Sequence, residues 1–397
     1  MTTHPLPGDI PPGTRRSVRL ADGRALMYFD EQPGRAHAAV DRRDISPSRG
    51  ASQIRRDALH DEWVIIAAHR QERTHLPPAE HCPLCPSRDG KVTEIPDTSY
   101  DVVVFENRFP SLSGVAASAP TGSPSTGALP SALTRGDGTL DQRRPGMGYC
   151  EVICFSDDHG TTFARLPSAR LRTIGHAWVD RTRELLAHPA VDYVFCFENR
   201  GEETGVTLHH PHGQIYAYPF VPPRMQQVVR NAAAHHGRTG RCLHCDMLTT
   251  ELRDSARVVA TTAHFVAFVP TAARWPFEVR MYPRAHVADL PALDPAVLEE
   301  AVALQADILA RFDNLFGLRM PYVSAWMQAP PRADRAVAHL YLQVFSVRRT
   351  ASKLKYLAGS ESAAGVFIND VLPEDAAQRL RDAYAHPTRQ EVRTHVR

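Results

Sequence analysis

Short apolar runs separated by polar turns dominate this chain, and two longer stretches switch to helical spacing. Val18 to Phe29 reads as a hairpin about Ala21-Asp22-Gly23-Arg24. Strands are predicted at Trp63–Ala67, Val102–Phe105, Glu151–Phe155, Tyr193–Phe197 and Gln214–Tyr218. Between the fourth and third of these, Leu171, Ile174, Trp178 and Leu185 form the buried stripe of a helix that Ser168 would cap. The same succession then returns. Strands are expected at His264–Phe268, Phe277–Tyr282, Tyr322–Trp326 and His339–Gln343, with a helix from Asp294-Pro295 carrying Leu298, Val302, Leu309, Phe312 and Phe316. Residues 1–15 read as disordered and 33–52 as a polar connector. Residues 112–145, rich in Ser, Gly, Pro, Ala and Thr, read as a flexible insertion.

A chain of 397 residues exceeds one ordinary core and suggests two domains or a duplicated one. The expected division is an arm and hairpin at 1–44, a first unit at 45–222, a second at 223–385, and a tail at 386–397. Hydrophobic content of 43% and charged content of 23% belong to a globular protein. A net charge of +2, spread along the chain, gives no case for a nucleic-acid partner. Arginine carries nearly all the positive charge, since lysine occurs only at Lys91, Lys353 and Lys355. No apolar run reaches the ~20 residues of a membrane span. No signal segment stands at the N-terminus, so a cytoplasmic location is expected.

Candidate chemistry begins with cysteine. Cys82-Pro83-Leu84-Cys85 and Cys242-Leu243-His244-Cys245 are two C-x-x-C pairs, whereas Cys150, Cys154 and Cys196 lie in apolar runs as small core residues. Such a pair means metal or redox chemistry. A redox pair should open a helix after a strand; Pro83 and Pro86 place the first pair in a loop, with histidines downstream, which favours zinc.

Those histidines include His209-His210-Pro211-His212-Gly213-Gln214. On a strand, His210, His212 and Gln214 share one face. One imidazole can then be fixed, the next can attack phosphorus, and the amide can hold a phosphoryl oxygen. A surface histidine cluster is the plain alternative. The spacing of partners elsewhere argues against it. Cys82, Cys85, His159 and His210 answer to Cys242, Cys245, His286 and His339, the last two being 51 apart in one half and 53 in the other. From Cys85 to His159 is 74 residues, against 41 from Cys245 to His286, and the excess matches the insertion. This is an internal duplication offering two Cys2His2 sets, each a closed structural zinc site. For the second set, buried thiols beside unrelated histidines remain the alternative. Tyr341 and Gln343 fall where His212 and Gln214 stand.

His210-Pro211-His212-Gly213-Gln214 resembles the active-site signature of galactose-1-phosphate uridylyltransferases, a branch of the histidine triad superfamily. The resemblance runs from about Asp61 to Tyr384 and includes Trp63 to Arg73, Val152 to His159, Phe197-Glu198-Asn199 and Trp275-Pro276-Phe277-Glu278. It implies an α+β fold of two tandem histidine-triad-like repeats, each a mostly antiparallel sheet with a packed helix. It implies transfer of UMP from UDP-glucose to galactose 1-phosphate through a uridylyl-histidine. By position, His212 would be the nucleophile and Gln214 the donor to the α-phosphoryl oxygens. Arg70 and Arg73 would bind phosphate, although a solvated turn is the plain reading. Asn107, Asn199, Gly205, Val206 and Thr207 would contact nucleotide. Lys355, Tyr356 and Glu361 would contact sugar, from a segment that reaches a second subunit in a homodimer.

Some family members carry a further metal site, but Val228, Met327, Gln343 and Phe345 stand at its positions here. The paired Cys2His2 pattern instead resembles the branch that includes ADP-glucose phosphorylase. Arg108 stands where an acidic residue is expected, and Phe367 where a Gln often is. An adenylyl-transferring phosphorylase acting on ADP-glucose or a dinucleoside polyphosphate, and a non-catalytic zinc-stabilised nucleotide-binding module, therefore stand as rival readings.

Overall fold

The computed structural model describes residues 14–46, 52–113 and 140–384. Residues 1–13, the tail and most of the insertion lie outside the described residues; of the 1–15 expected to be disordered, Thr14 is buried and Arg15 opens the first strand. Fourteen strands are described: β1 (Arg15–Arg19), β2 (Ala25–Phe29), β3 (Gln53–Asp57), β4 (Glu62–Ile66), β5 (Val102–Glu106), β6 (Arg143–Pro145), β7 (Tyr149–Cys154), β8 (Tyr193–Arg200), β9 (His212–Tyr218), β10 (Val258–Thr261), β11 (Phe265–Phe268), β12 (Phe277–Pro283), β13 (Tyr322–Met327) and β14 (Tyr341–Ser346). The helices are α1 (Ser168–Leu186), α2 (Pro223–Thr239), α3 (Leu243–Asp254), α4 (Pro295–Asn314), the short α5 (Gly359–Ser362) and α6 (Pro373–Asp382).

Eleven strands form one sheet in the order β1-β2-β5-β7-β9-β8-β13-β14-β12-β11-β10, and β4-β3-β6 form a small second sheet. The α+β class holds. The two repeats are joined edge to edge into one continuous sheet, every pairing of which is antiparallel. Outward from the β8–β13 junction the order is symmetric: β9, β7, β5, β2 on one side answer to β14, β12, β11, β10 on the other.

Alternation gives the sheet two apolar faces. One packs on α1 and α4 through Ile153, Cys196, Ile215, Phe277, Met281, Trp326 and Leu342. Gly175 allows the two helices to approach, since a Cβ there would lie 3.2 Å from Leu298 Cγ. The opposite face carries the candidate chemistry. In the first half, Leu26, Val103, Phe105, Val152 and Cys154 lie under the loop of Cys82 and Leu84. In the second half, Val266, Phe268, Tyr282 and Tyr341 lie under Leu248 of α3.

Several local expectations change. Ser168 is the first residue of α1, and its N-cap is Pro167, with no side-chain cap bond. The segment read as insertion is ordered at both ends: Leu112 is fully buried, and β6 pairs with β3. Cys245 lies in the first turn of α3, so the second pair opens a helix whereas the first sits in a loop after a 3-10 turn at Ala79–His81.

Candidate active site and metal centres

β9 begins at His212, so His210 sits just before the strand, buried at 1% exposure. His210 Nε2 lies 2.8 Å from the Ser156 carbonyl and donates to it, with Tyr100 Oη 2.9 Å away. Donation from Nε2 fixes the tautomer and leaves the Nδ1 lone pair facing Cys85 Sγ at 3.6 Å. His159 Nδ1 faces the same sulfur at 3.5 Å. The donor atoms of Cys82, Cys85, His159 and His210 all lie within 4.8 Å of one another. Burial, then the adjacent Cys82, pushes the Cys85 thiol up to about 12, and burial pushes His210 down to about 3. Two soft sulfurs and two neutral ring nitrogens crowded without a cation are a donor set that suits a divalent metal.

His212 Nδ1 donates to the His210 carbonyl at 2.7 Å, so its lone pair is on Nε2. Burial lowers the pKa of this ring, which favours the neutral, nucleophilic form. Gly213 is required between His212 and Gln214, because a Cβ would lie 2.8 Å from both Phe155 Cζ and the Phe197 carbonyl oxygen. A single cleft then collects Arg70, Arg73, Asn107, Asn199, Gly205, Val206, Thr207, His212 and Gln214. Arg70 follows β4 on a 3-10 turn (Ala68–Glu72) and donates to the Phe109 carbonyl at 2.5 Å. Leu76 N donates to the Thr207 carbonyl at 2.8 Å, tying the arginine segment to the loop before the histidines. Asn107 Oδ1 accepts from Phe109 N at 2.9 Å, which fixes its side chain at the end of β5.

Three expected sugar-contact residues lie away from this cleft. Lys355 Nζ donates to Glu361 Oε1 at 2.8 Å and to the Ile368 carbonyl, while Tyr356 is 79% exposed. Sequence reasoning missed two residues that the structure adds. Tyr100 bridges the first cluster: its Oη donates towards the Leu84 and Ser156 carbonyls and lies 2.9 Å from the His210 Nε2–H. Glu94 lines the cleft. Neither sits in a motif; only the fold brings them there.

In the second half, Cys242, Cys245 and His286 lie within 4.8 Å of one another. Cys245 Sγ is 3.5 Å from His286 Nδ1, and His286 Nε2 donates to the Arg335 carbonyl at 2.7 Å, repeating the His210 arrangement. His339 stands outside that trio. Its ring is 4.9 Å from that of His286 between centroids, its Nδ1 donates to the Leu340 carbonyl at 2.8 Å, and its buried Nε2 has no partner among the described residues. An orphaned ring nitrogen next to His286, which is itself grouped with two cysteines, suits a further metal donor. Tyr341, at the place of His212, is stacked on Tyr282 at 5.0 Å, and burial raises its pKa. Gln343, at the place of Gln214, donates to Glu278 Oε1 at 2.9 Å.

Residues 39–222 match the family model described as galactose-1-phosphate uridyl transferase, N-terminal domain, and residues 226–394 match its C-terminal domain. The chain is 40% identical to a galactose-1-phosphate uridylyltransferase of Streptomyces lividans, covering 93% of this chain and 97% of that one. It is 35% identical to the enzyme of that name from Thermotoga maritima, over 83% and 98%. A solved uridylyltransferase structure superposes with a TM-score of 0.69 at 28% identity, covering 84% of this chain and 98% of its own.

Proposed function

The chain belongs to the galactose-1-phosphate uridylyltransferase family, a nucleotidyltransferase family of galactose metabolism, and from that premise we propose how its own residues carry the reaction. His212 Nε2 attacks the α-phosphorus of UDP-glucose, the bond to the β-phosphate oxygen breaks, and glucose 1-phosphate leaves. Galactose 1-phosphate then enters, its phosphate oxygen attacks the uridylyl phosphorus, and UDP-galactose departs with His212 restored. The observation that carries the reading is the 2.7 Å bond from His212 Nδ1 to the His210 carbonyl. It aims the lone pair outward and stabilises the ring as it gains positive charge in the attack. Gln214 donates to the α-phosphoryl oxygens, and Arg70 and Arg73 balance the diphosphate charge. Asn107, Asn199 and the Gly205-Val206-Thr207 loop contact the nucleotide.

Zinc suits both clusters. Held by Cys82, Cys85, His159 and His210, it would supply a structural cross-link, leaving no open position for substrate. The second set would be Cys242, Cys245, His286 and His339. Lys355, Tyr356 and Glu361 lie away from this chain's cleft, beside the exposed Leu357, Val366 and Ile368. That patch supports a homodimer in which they serve the partner's cleft. No helix among the described residues is long and apolar enough to cross a membrane, which accords with a cytoplasmic location.

The test is a donor–acceptor matrix. UDP-glucose labelled in the α-phosphate should leave label on His212 and pass it to galactose 1-phosphate. Turnover of ADP-glucose with inorganic phosphate in its place would select the phosphorylase reading. No turnover of either donor would leave a binding module.

A further inference from the structure

Five charged side chains alternate in sign from the N-terminal arm into the cleft. Asp22 pairs with Arg24 at 2.6 Å, Arg24 with Glu94 at 2.5 Å, Glu94 with Arg43 at 2.7 Å, and Arg43 with Asp41 at 2.7 Å. Every one of these side chains is less than 10% exposed. The arm that supplies four of them is itself clamped. His37 is buried against Tyr28, ring centroids 3.7 Å apart, with Nε2 on Asp30 at 2.9 Å and Nδ1 on Asp97. Residues 14–38, including Asp22 and Arg24, precede the stretch that the family model matches.

At the centre of the chain of charges stands Glu94, the one carboxylate among the described residues lining the cleft. Its place along the cleft follows from strand pairing. Gln214, Val152 and Phe105 sit opposite one another on β9, β7 and β5. Phe105 is therefore two strand spacings, about 10 Å, from Gln214. Arg24 donates to the carbonyl of Glu106, the next residue, at 2.7 Å, and Glu94 hangs from the same guanidinium. The carboxylate is thus set on the β5 side, with Pro83, Leu84 and Phe105, away from Gln214 and His212 where phosphate binds. A carboxylate buried between two guanidinium groups is an acceptor facing a cleft built for an anion. What it can receive there is an O–H or N–H of the uncharged part of the ligand.

We propose that Glu94 is a specificity-determining residue that accepts a hydrogen bond from the nucleoside of the donor substrate, and that the N-terminal arm holds it in place through Arg24 and Arg43. The proposal rests on the reading of this cleft as the nucleotide site. The donating group is a ribose hydroxyl or the imide N–H of the base.

Steady-state kinetics with UDP-glucose and its 2′-deoxy, 3′-deoxy and N3-methyl analogues separate these sources. The wild type should lose roughly 10- to 100-fold in kcat/KM on the analogue that lacks the donated hydrogen. Glu94→Met and Glu94→Ala should weaken UDP-glucose itself through KM and bring that analogue to within about 3-fold of it. Arg24→Met should do the same, which a general loss of stability would not. Glu94→Met keeps the side-chain length without an oxygen acceptor should the Ala variant fail to fold. A wild type indifferent to all three analogues, or Glu94 variants that keep the wild-type ratio, would overturn the proposal. A wild type that takes no label from UDP-glucose would strike at the cleft assignment, and the proposal would fall with it.

Discussion

Phe197 of β8 and Ala325 of β13 face each other across the centre of the sheet, and each pairs on its other side with a glutamine, Gln214 and Gln343 respectively. Their neighbours follow suit: Glu198 faces Ser324, and Cys196 faces Trp326. An approximate twofold axis therefore passes through the Phe197–Ala325 pair and relates the two halves. The same registers place Val152 against Gln214 and Arg280 against Gln343. Where the first half opens a cleft over a small apolar residue, the second fills the space with an arginine. Duplication supplied the frame, and substitution at a few positions on one face separated the roles.

Replacing His212 by Asn should abolish labelling by α-labelled UDP-glucose and lower transfer roughly a thousand-fold or more, with the fold intact by circular dichroism. Label retained on the Asn protein would move the nucleophile elsewhere.

The grouping of Cys82, Cys85, His159 and His210 was legible because cysteine pairs and histidines recur at matched intervals, and a repeat is visible without any knowledge of contacts. Tyr100 and Glu94 were invisible for the opposite reason: each acts through partners more than fifty residues away, Tyr100 on Ser156 and His210, Glu94 on Arg24 and Arg43. α2 escaped although Met225, Val228, Val229 and Ala232 stand at helical spacing, because the stripe is short and only Met225 and Ala232 of it are buried. β6 escaped because three residues, Arg143–Pro145, carry no period at all. His339 answers to His210 in the alignment of halves, but it stands outside the trio of Cys242, Cys245 and His286, and its tautomer differs from that of His210. A spacing cannot report which ring nitrogen is bound to a neighbouring carbonyl.

Metal analysis of purified protein should find about two zinc ions per chain if both clusters fill. Cys82→Ser should lose one of them together with transfer activity, since its cluster includes His210, whose carbonyl orients His212. Active protein free of zinc after chelation would remove the structural role from both clusters.

Glu198 supplies a pH test on stability. It is fully buried within the sheet, accepts from Tyr322 Oη at 2.8 Å, and burial pushes its carboxyl up to about 7. A folded pKa above the unfolded one means stability that is fully present below about 4.5 and is lost as pH rises through about 7. Glu198→Gln mimics the protonated form. Its melting temperature should match the wild type near pH 5 and exceed it by pH 8, the gap approaching about 3 kcal/mol at most. A gap that shrinks with rising pH would show that Glu198 folds as a carboxylate.

The second half offers the sharpest contrast. Tyr341 is stacked on Tyr282 and packed with Leu248, Val266 and Phe268, and burial holds its phenol protonated. Gln343, which would have to hold a phosphoryl oxygen, is bonded to Glu278, and Arg280 lies 3.3 Å from the same carboxylate. Glu278 Oε2 also accepts from Arg274 N at 2.7 Å, so the carboxylate is fully engaged and wholly buried. At the positions that answer to His212 and Gln214, this copy holds a protonated phenol and an engaged amide. Tyr341→Phe should therefore leave most of the transfer rate, and Gln343→Ala should lower the melting temperature while changing turnover per folded molecule less than about 3-fold. Glu278→Gln should destabilise more strongly, by about 2–4 kcal/mol, because it breaks a buried network and leaves Arg280 without its counter-charge. A loss of transfer in Tyr341→Phe as deep as that in His212→Asn would make the second half a working site and end the single-site mechanism.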